Sequence, residues 1–154
     1  MPFRAPNLEP IMASIMPVGK NYGRLMAFAF GFMSIVLFDF INLKVGVWTI
    51  ITAVIYGLVG FGASYFLNSH SGWKGYASYA FFATIIYDLL TGLTIGPMFF
   101  HQSFAVSLVG QIPFTLIHLI GNVSFAIILS PVIEKWLVKE SKISFSLYKK
   151  VVRV

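Results

Sequence analysis

Four long apolar stretches constrain this chain more than any other feature. They cover residues 25–41, 46–67, 76–100 and 111–133. Each comes close to, or exceeds, the roughly 20 residues a helix needs to cross a bilayer. The composition agrees. Hydrophobic residues make up 58% of the chain, charged residues 10%, and the mean hydropathy is +0.84. A soluble domain would carry about a quarter charged residues. The expected fold is therefore all-α, a polytopic membrane helical bundle of about four full spans, and the length allows only one such bundle. Neither an internal repeat nor a separate soluble domain is visible. The absence of cysteine excludes a disulfide framework and a thiolate metal site. Pro2, Pro6, Glu9 and Pro10 interrupt any apolar signal core near the start, so no cleavable signal peptide is expected.

The net charge of +6 raises nucleic acid as a partner, but the placement of the charges favours lipid. If segments near 9–19, 24–42, 46–68, 76–97 and 110–137 alternate across the membrane, one side receives Lys20, Arg24, Lys74, Lys135, Lys139, Lys142, Lys149, Lys150 and Arg153. The other receives Arg4 and Lys44. That asymmetry obeys the positive-inside rule and predicts an outside N-terminus and a cytoplasmic C-terminus. Residues 1–137 then form the bundle. Residues 138–154 form a basic cytoplasmic tail lying along anionic headgroups, with no nucleic-acid role.

Two connecting pieces are irregular. Residues 9–20, EPIMASIMPVGK, offer about ten apolar positions, too few to cross, and Pro17 is expected to disrupt a helix. The piece is either a short helix packed inside the bundle or a re-entrant segment. On the outside, Gly96-Pro97 is expected to end one span. Residues His101, Gln102 and Ser103 then make a polar turn before an apolar interfacial helix that caps the bundle. Small residues at Ala27, Gly31 and Ser34, at Gly57, Gly60 and Ser64, and at Ala77, Ala80 and Thr84 share helix faces. Such stripes let helix backbones approach closely and are read as internal packing rather than partner docking.

Polar side chains at membrane depth are the candidate chemistry, because ionisable groups are expensive there. In GQIPFTLIHLIGN (110–122), Gln111, Thr115, His118 and Asn122 fall within about 60° of one another on a helix. Thr84, Asp88 and Thr91 form a second stripe at i, i+4 and i+7. Counted at about 1.5 Å per residue from the expected helix ends, Asp88 lies about 13 Å below the outer surface, His118 about 10 Å and Asn122 about 16 Å. Two stripes at one level suggest facing helices around a polar cavity in the outer half of the bundle. Asp39, Trp48, Thr49, Thr52 and Tyr56 could extend its lining. Three readings stay open: a ligand site, structural glue between two helices at about 0.6–2 kcal/mol per contact, and a metal site or proton relay.

A family resemblance then enters on specific residues. PNLEP (6–10), VGKNYGR (18–24), GVWTIITAVIYGLVG (46–60), DLLTGLTIGP (88–97) and GQIPFTLIHLIGNVSFAIILSP (110–131), in this order, resemble the substrate-binding S component of energy-coupling factor transporters. The likeness covers about residues 6 to 137. It implies a membrane bundle of six helices that captures a vitamin-like micronutrient from outside, in a prokaryotic plasma membrane. It also implies a transmembrane scaffold subunit and two cytoplasmic ATPases as partners. By this likeness, Trp48, Tyr56, Tyr87, Asp88, Gln111, His118 and Asn122 enclose the ligand, with Thr52, Thr91 and Thr115 beside them. Asn7 and Glu9, and His101 and Gln102, act as lids. The family usually carries a docking helix before the E-P turn. Only eight residues precede Glu9 here, so the expectation is that a partner or a second copy supplies that surface.

The expected function is thus binding a small organic nutrient for uptake, without enzymatic activity, cofactor or resident metal. Trp48, Tyr56 and Tyr87 could stack on a flat ring. No G-x-x-x-x-G-K-[ST] is present, so the energy must come from another chain. His118 has no H-E-x-x-H partner, which weakens a metal-dependent enzyme. Thiamine, riboflavin, biotin, a nucleobase or an amino-acid-like compound would all suit such a pocket. The rival from another class is a small structural or assembly protein of the membrane without a ligand.

Overall fold

The structure, a computed structural model, describes the backbone of residues 10–152 and the side chains of residues 10–137. The described residues form five helices and no strand: α1 (Ile11–Tyr22), α2 (Arg24–Ile41), α3 (Val47–Ser69), α4 (Gly72–Phe100) and α5 (Phe104–Val152). Helices α2 to α5 each contain a stretch long and apolar enough to cross a membrane. The fold is an all-α polytopic bundle. Glu9, expected in a lid, lies outside the described residues, as does Asn7.

Helices α2 and α3 pair, α4 and α5 pair, and α3 joins the two pairs by packing on α4. The four long helices thus form an arc in which α2 meets neither α4 nor α5. Helix α1 sits in the concave side and touches all four. At 12 residues it is about 18 Å long, well short of a span. Met12, Ala13, Ile15, Met16, Pro17 and Gly19 are buried, so α1 is the short internal helix rather than a re-entrant loop.

Pro17 does not break α1, and its neighbours explain why. A proline has no N–H, which frees the carbonyl four residues earlier, here that of Ala13. The buried Ser130 hydroxyl on α5 donates to that oxygen at 2.8 Å. Ser64 on α3 likewise donates to the Gly19 carbonyl at 2.7 Å. Side chains of the long helices therefore satisfy a short helix inside the membrane, where water cannot. The chain leaves α1 through Gly23, whose φ of +86° suits glycine.

The small-residue stripes are internal packing. A Cβ on Gly31 would stand 2.7 Å from the Tyr56 carbonyl oxygen, and one on Gly57 2.8 Å from the Phe28 ring. One on Gly60 would overlap the backbone of Ala27. Helices α2 and α3 thus meet backbone to backbone.

Two expected boundaries move. Helix α4 runs through Pro97 to Phe100 and ends at His101 in the left-handed conformation, φ 51°. The stretch expected as a separate interfacial cap forms the first turns of α5, which holds both Pro113 and Pro131 and continues through Val152. A proline costs an internal hydrogen bond, yet membrane-spanning helices tolerate it. The backbone of the expected tail, 138–152, continues that same helix.

The bundle has one basic end. Lys20 pairs with Glu134 at 2.5 Å, and Tyr76 donates to the same carboxylate at 2.9 Å. Arg24 bonds the Tyr65 hydroxyl and lies against the rings of Phe61 and Tyr65. At the opposite end, Thr49 donates to Asp39 at 2.6 Å and accepts from the Gly46 N–H at 3.1 Å, fixing the start of α3.

Candidate functional site

The interior of the α4–α5 pair holds the cluster of buried polar side chains richest in chemistry. Asp88 and Asn122 are fully buried, as is Thr84, and His118 is 5% exposed. Thr84 and Asp88 lie one turn apart on α4, and His118 and Asn122 one turn apart on α5, so each helix presents two groups to the other. With its proton on Nδ1, His118 donates to Asp88 Oδ1 at 2.7 Å. One turn further along, Asn122 Nδ2 donates to Thr84 Oγ1 at 3.0 Å. Thr84 in turn faces Met12 Sδ of α1 at 3.6 Å.

Two oxygens in this cluster have no hydrogen-bond partner among the described residues: Asp88 Oδ2 and Asn122 Oδ1. Burying a polar atom without a partner costs about 1–3 kcal/mol, and more for a charged group. Both are acceptors, and they belong to residues that are otherwise engaged. A native interior tolerates few such atoms, and they commonly mark a functional group or a place for water or ligand.

Aromatic rings stand along one side. Tyr56 on α3 meets Tyr87 edge to face at 4.6 Å between centroids. Tyr87 stands 6.0 Å and Phe114 5.7 Å from the His118 ring, both near perpendicular. Tyr56 is 2% exposed. The cluster is therefore walled by α3, α4 and α5 and floored by α1.

The level of the cluster is deeper than helix-end counting gave. Because α4 reaches Phe100, Asp88 lies 12 residues, or about 18 Å, from its end. His118 lies 14 residues, or about 21 Å, from the start of α5. The two depths still match, but they fall near mid-helix rather than well within the outer half.

Other expected residues are placed elsewhere. Thr91 is buried just beyond Asp88, with its hydroxyl on the Tyr87 carbonyl at 2.9 Å. Trp48 donates to the Lys44 carbonyl at 3.1 Å, and its ring packs 6.2 Å from Phe100 at the end of the bundle. Thr52 bonds backbone carbonyls of its own helix, Trp48 at 3.0 Å and Thr49 at 3.1 Å. Gln111 lies over Gly92, where an added Cβ would collide with its amide. Gln111 and Thr115 line an apolar groove of about 240 Å³ with Ile85, Leu89 and Leu108 on the outer side of the pair. That groove reaches neither Asp88 nor His118.

Sequence reasoning placed Thr84 on the Asp88 stripe but not among the site residues, and it missed Met12 and Phe114. Thr84 was findable, one turn before Asp88. Met12 was not, because nothing local says which way α1 faces. Among the described residues, no group of three His, Cys, Asp or Glu side chains could hold a metal ion. No protein-family model, curated protein or solved structure matches this chain.

Proposed function

We propose that this protein is a membrane-embedded binding subunit for uptake of a small organic micronutrient, with Asp88, His118, Asn122 and Thr84 as the core of its site. The observation that carries this reading is the pair of buried, unpartnered acceptors, Asp88 Oδ2 and Asn122 Oδ1. A cluster that only fastens two helices would be expected to satisfy its own oxygens, since each orphan lowers its value as glue. The aromatic wall of Tyr56, Tyr87 and Phe114 suits a flat or cationic organic group. The resemblance to transporter S components points the same way. It supplies the rest of the proposal: the basic end in a prokaryotic cytoplasm, capture from the opposite face, and a scaffold subunit with two ATPases providing energy.

A second reading rests on a specific observation. Both the Asp88–His118 and Thr84–Asn122 bonds run between α4 and α5, as they would in a structural or assembly protein of the membrane that binds no ligand. Native mass spectrometry of the detergent-extracted protein separates the two. A retained small molecule supports the binding subunit. No retained compound, together with a stoichiometric protein partner, supports the structural reading and overturns the first.

A further inference from the structure

The chemistry of the cluster narrows the class of ligand, and this step rests on the binding reading above. Each donor atom placed in the cluster already has a partner there, with one further N–H on Asn122 Nδ2 to spare. His118 Nδ1–H is used on Asp88 Oδ1, Asn122 Nδ2 on Thr84 Oγ1, and the Thr84 hydroxyl faces Met12 Sδ. The two buried atoms left wholly without a partner are both acceptors, one carboxylate oxygen and one amide oxygen. A ligand that presented acceptors to these two atoms, such as a carboxylate or phosphate, would set oxygen against oxygen.

Charge points the same way. The two basic side chains around the C-terminus of α1 are committed at that end of the bundle: Lys20 on Glu134, and Arg24 on Tyr65. Asp88 is the one carboxylate in the cluster, and its free oxygen meets no described cation. A buried carboxylate is stabilised by an opposite charge that also hydrogen-bonds it. Tyr87 and Phe114, beside His118, present ring surface of the kind that attracts cations.

We infer that the site between α4 and α5 takes a nitrogenous organic cation, an ammonium or amidinium whose N–H groups bond Asp88 Oδ2 and Asn122 Oδ1. Selection against anions then follows from the cluster itself, with no separate filter.

Thermal unfolding of the full-length protein in lipid nanodiscs, followed by intrinsic tryptophan fluorescence, tests this with three matched probes: benzamidinium, benzyl alcohol and benzoate. Potassium chloride at the same ionic strength is the control for bare charge. Benzamidinium is expected to raise the transition temperature by several degrees at saturating concentration, while benzoate, benzyl alcohol and potassium leave it unchanged. Asp88→Asn keeps the size and one acceptor oxygen but removes the charge. It should weaken benzamidinium roughly ten- to a hundredfold while unfolding cooperatively on its own. Asn122→Asp adds a second carboxylate and should tighten benzamidinium relative to the parent, which guards against loss through misfolding. Equal shifts from benzoate or potassium, undiminished binding by Asp88→Asn, or no shift from any probe would each overturn the inference. Failure here and failure of the uptake reading are distinguishable. A retained anionic compound in native mass spectrometry refutes the cation and keeps uptake, whereas no retained compound and no probe binding removes both.

Discussion

Asn122→Leu and His118→Leu remove polar groups one turn apart on the same helix, yet the structure gives them different consequences. His118 supplies the one hydrogen bond that Asp88 receives from a described side chain, through Oδ1, and Oδ2 already has none. Replacing His118 by Leu strands a fully buried carboxylate, and breaking a buried pair in this way costs about 3–5 kcal/mol. Asn122→Leu loses one bond, to Thr84, at about 1 kcal/mol, and deletes one orphan oxygen whose burial costs about 1–3 kcal/mol. The two terms nearly cancel, so the folded protein should be within about 1 kcal/mol of the parent.

At about 2–4 °C per kcal/mol for a chain of this size, His118→Leu should lower the melting temperature by roughly 10 °C. Asn122→Leu should barely move it. Leu67→Ala, at a site 1% exposed, serves as the packing control at about 2–5 kcal/mol. The assay is unfolding in bicelles followed by tryptophan fluorescence, with nutrient uptake per folded molecule measured on the same variants. Uptake by Asn122→Leu should fall about ten- to a hundredfold despite its retained stability. If Asn122→Leu destabilises as much as His118→Leu while uptake per folded molecule is unchanged, the cluster is a fully satisfied clamp and a ligand site at these residues is refuted.

Gly60→Val should lower stability by about 1–3 kcal/mol, because its Cβ would overlap the Ala27 backbone and stand 2.8 Å from Ile15 Cγ2; thermal unfolding checks it, and an unchanged melting temperature would mean that α2 and α3 do not meet so closely. Ser130→Ala should cost about 1–3 kcal/mol by freeing the Ala13 carbonyl at Pro17, and restoring the N–H with Pro17→Ala should recover much of the loss in a double-mutant cycle. The absence of cysteine makes single-cysteine topology mapping clean: Lys44→Cys should react with an impermeant maleimide from outside the cell, and Ser71→Cys only after permeabilisation, with the opposite pattern inverting the proposed orientation. Glu134→Gln should weaken stability by about 1–3 kcal/mol, since Lys20 and Glu134 are only 20% and 21% exposed and Tyr76 bonds the same carboxylate; an unchanged melting temperature would deny the ion pair a structural role.

The long apolar runs made the spans legible, because a bilayer imposes a length that composition alone reveals. Where spans end was less legible. Gly96-Pro97 reads as a stop by the rules of soluble helices, yet α4 continues to Phe100. Pro97 lies in the last turn of α4, where it interrupts one internal bond close to the helix end. For the polar stripes, periodicity correctly set Asp88 facing the His118 stripe, since residues four apart share a face. It could not separate the inner half of the second stripe from the outer half. His118 and Asn122 are buried, while Gln111 and Thr115 border the outer groove. The difference lies in which neighbours α5 meets along its length. Trp48 and Thr52 stand apart from the cluster for another reason. Each carries chemistry suited to a ligand, and the structure spends Trp48 Nε1 and the Thr52 hydroxyl on backbone carbonyls within one turn.

The short helix connects these observations. An arc of four spanning helices in which α2 meets neither α4 nor α5 would leave a cleft, and lipid entering it would reach Thr84 and Asn122. Helix α1 fills that space without crossing the membrane. It is held by Ser64 and Ser130 through its own carbonyls, and its buried face sets Met12 against Thr84. Twelve residues are enough to close the polar cluster on one side and too few to traverse the bundle.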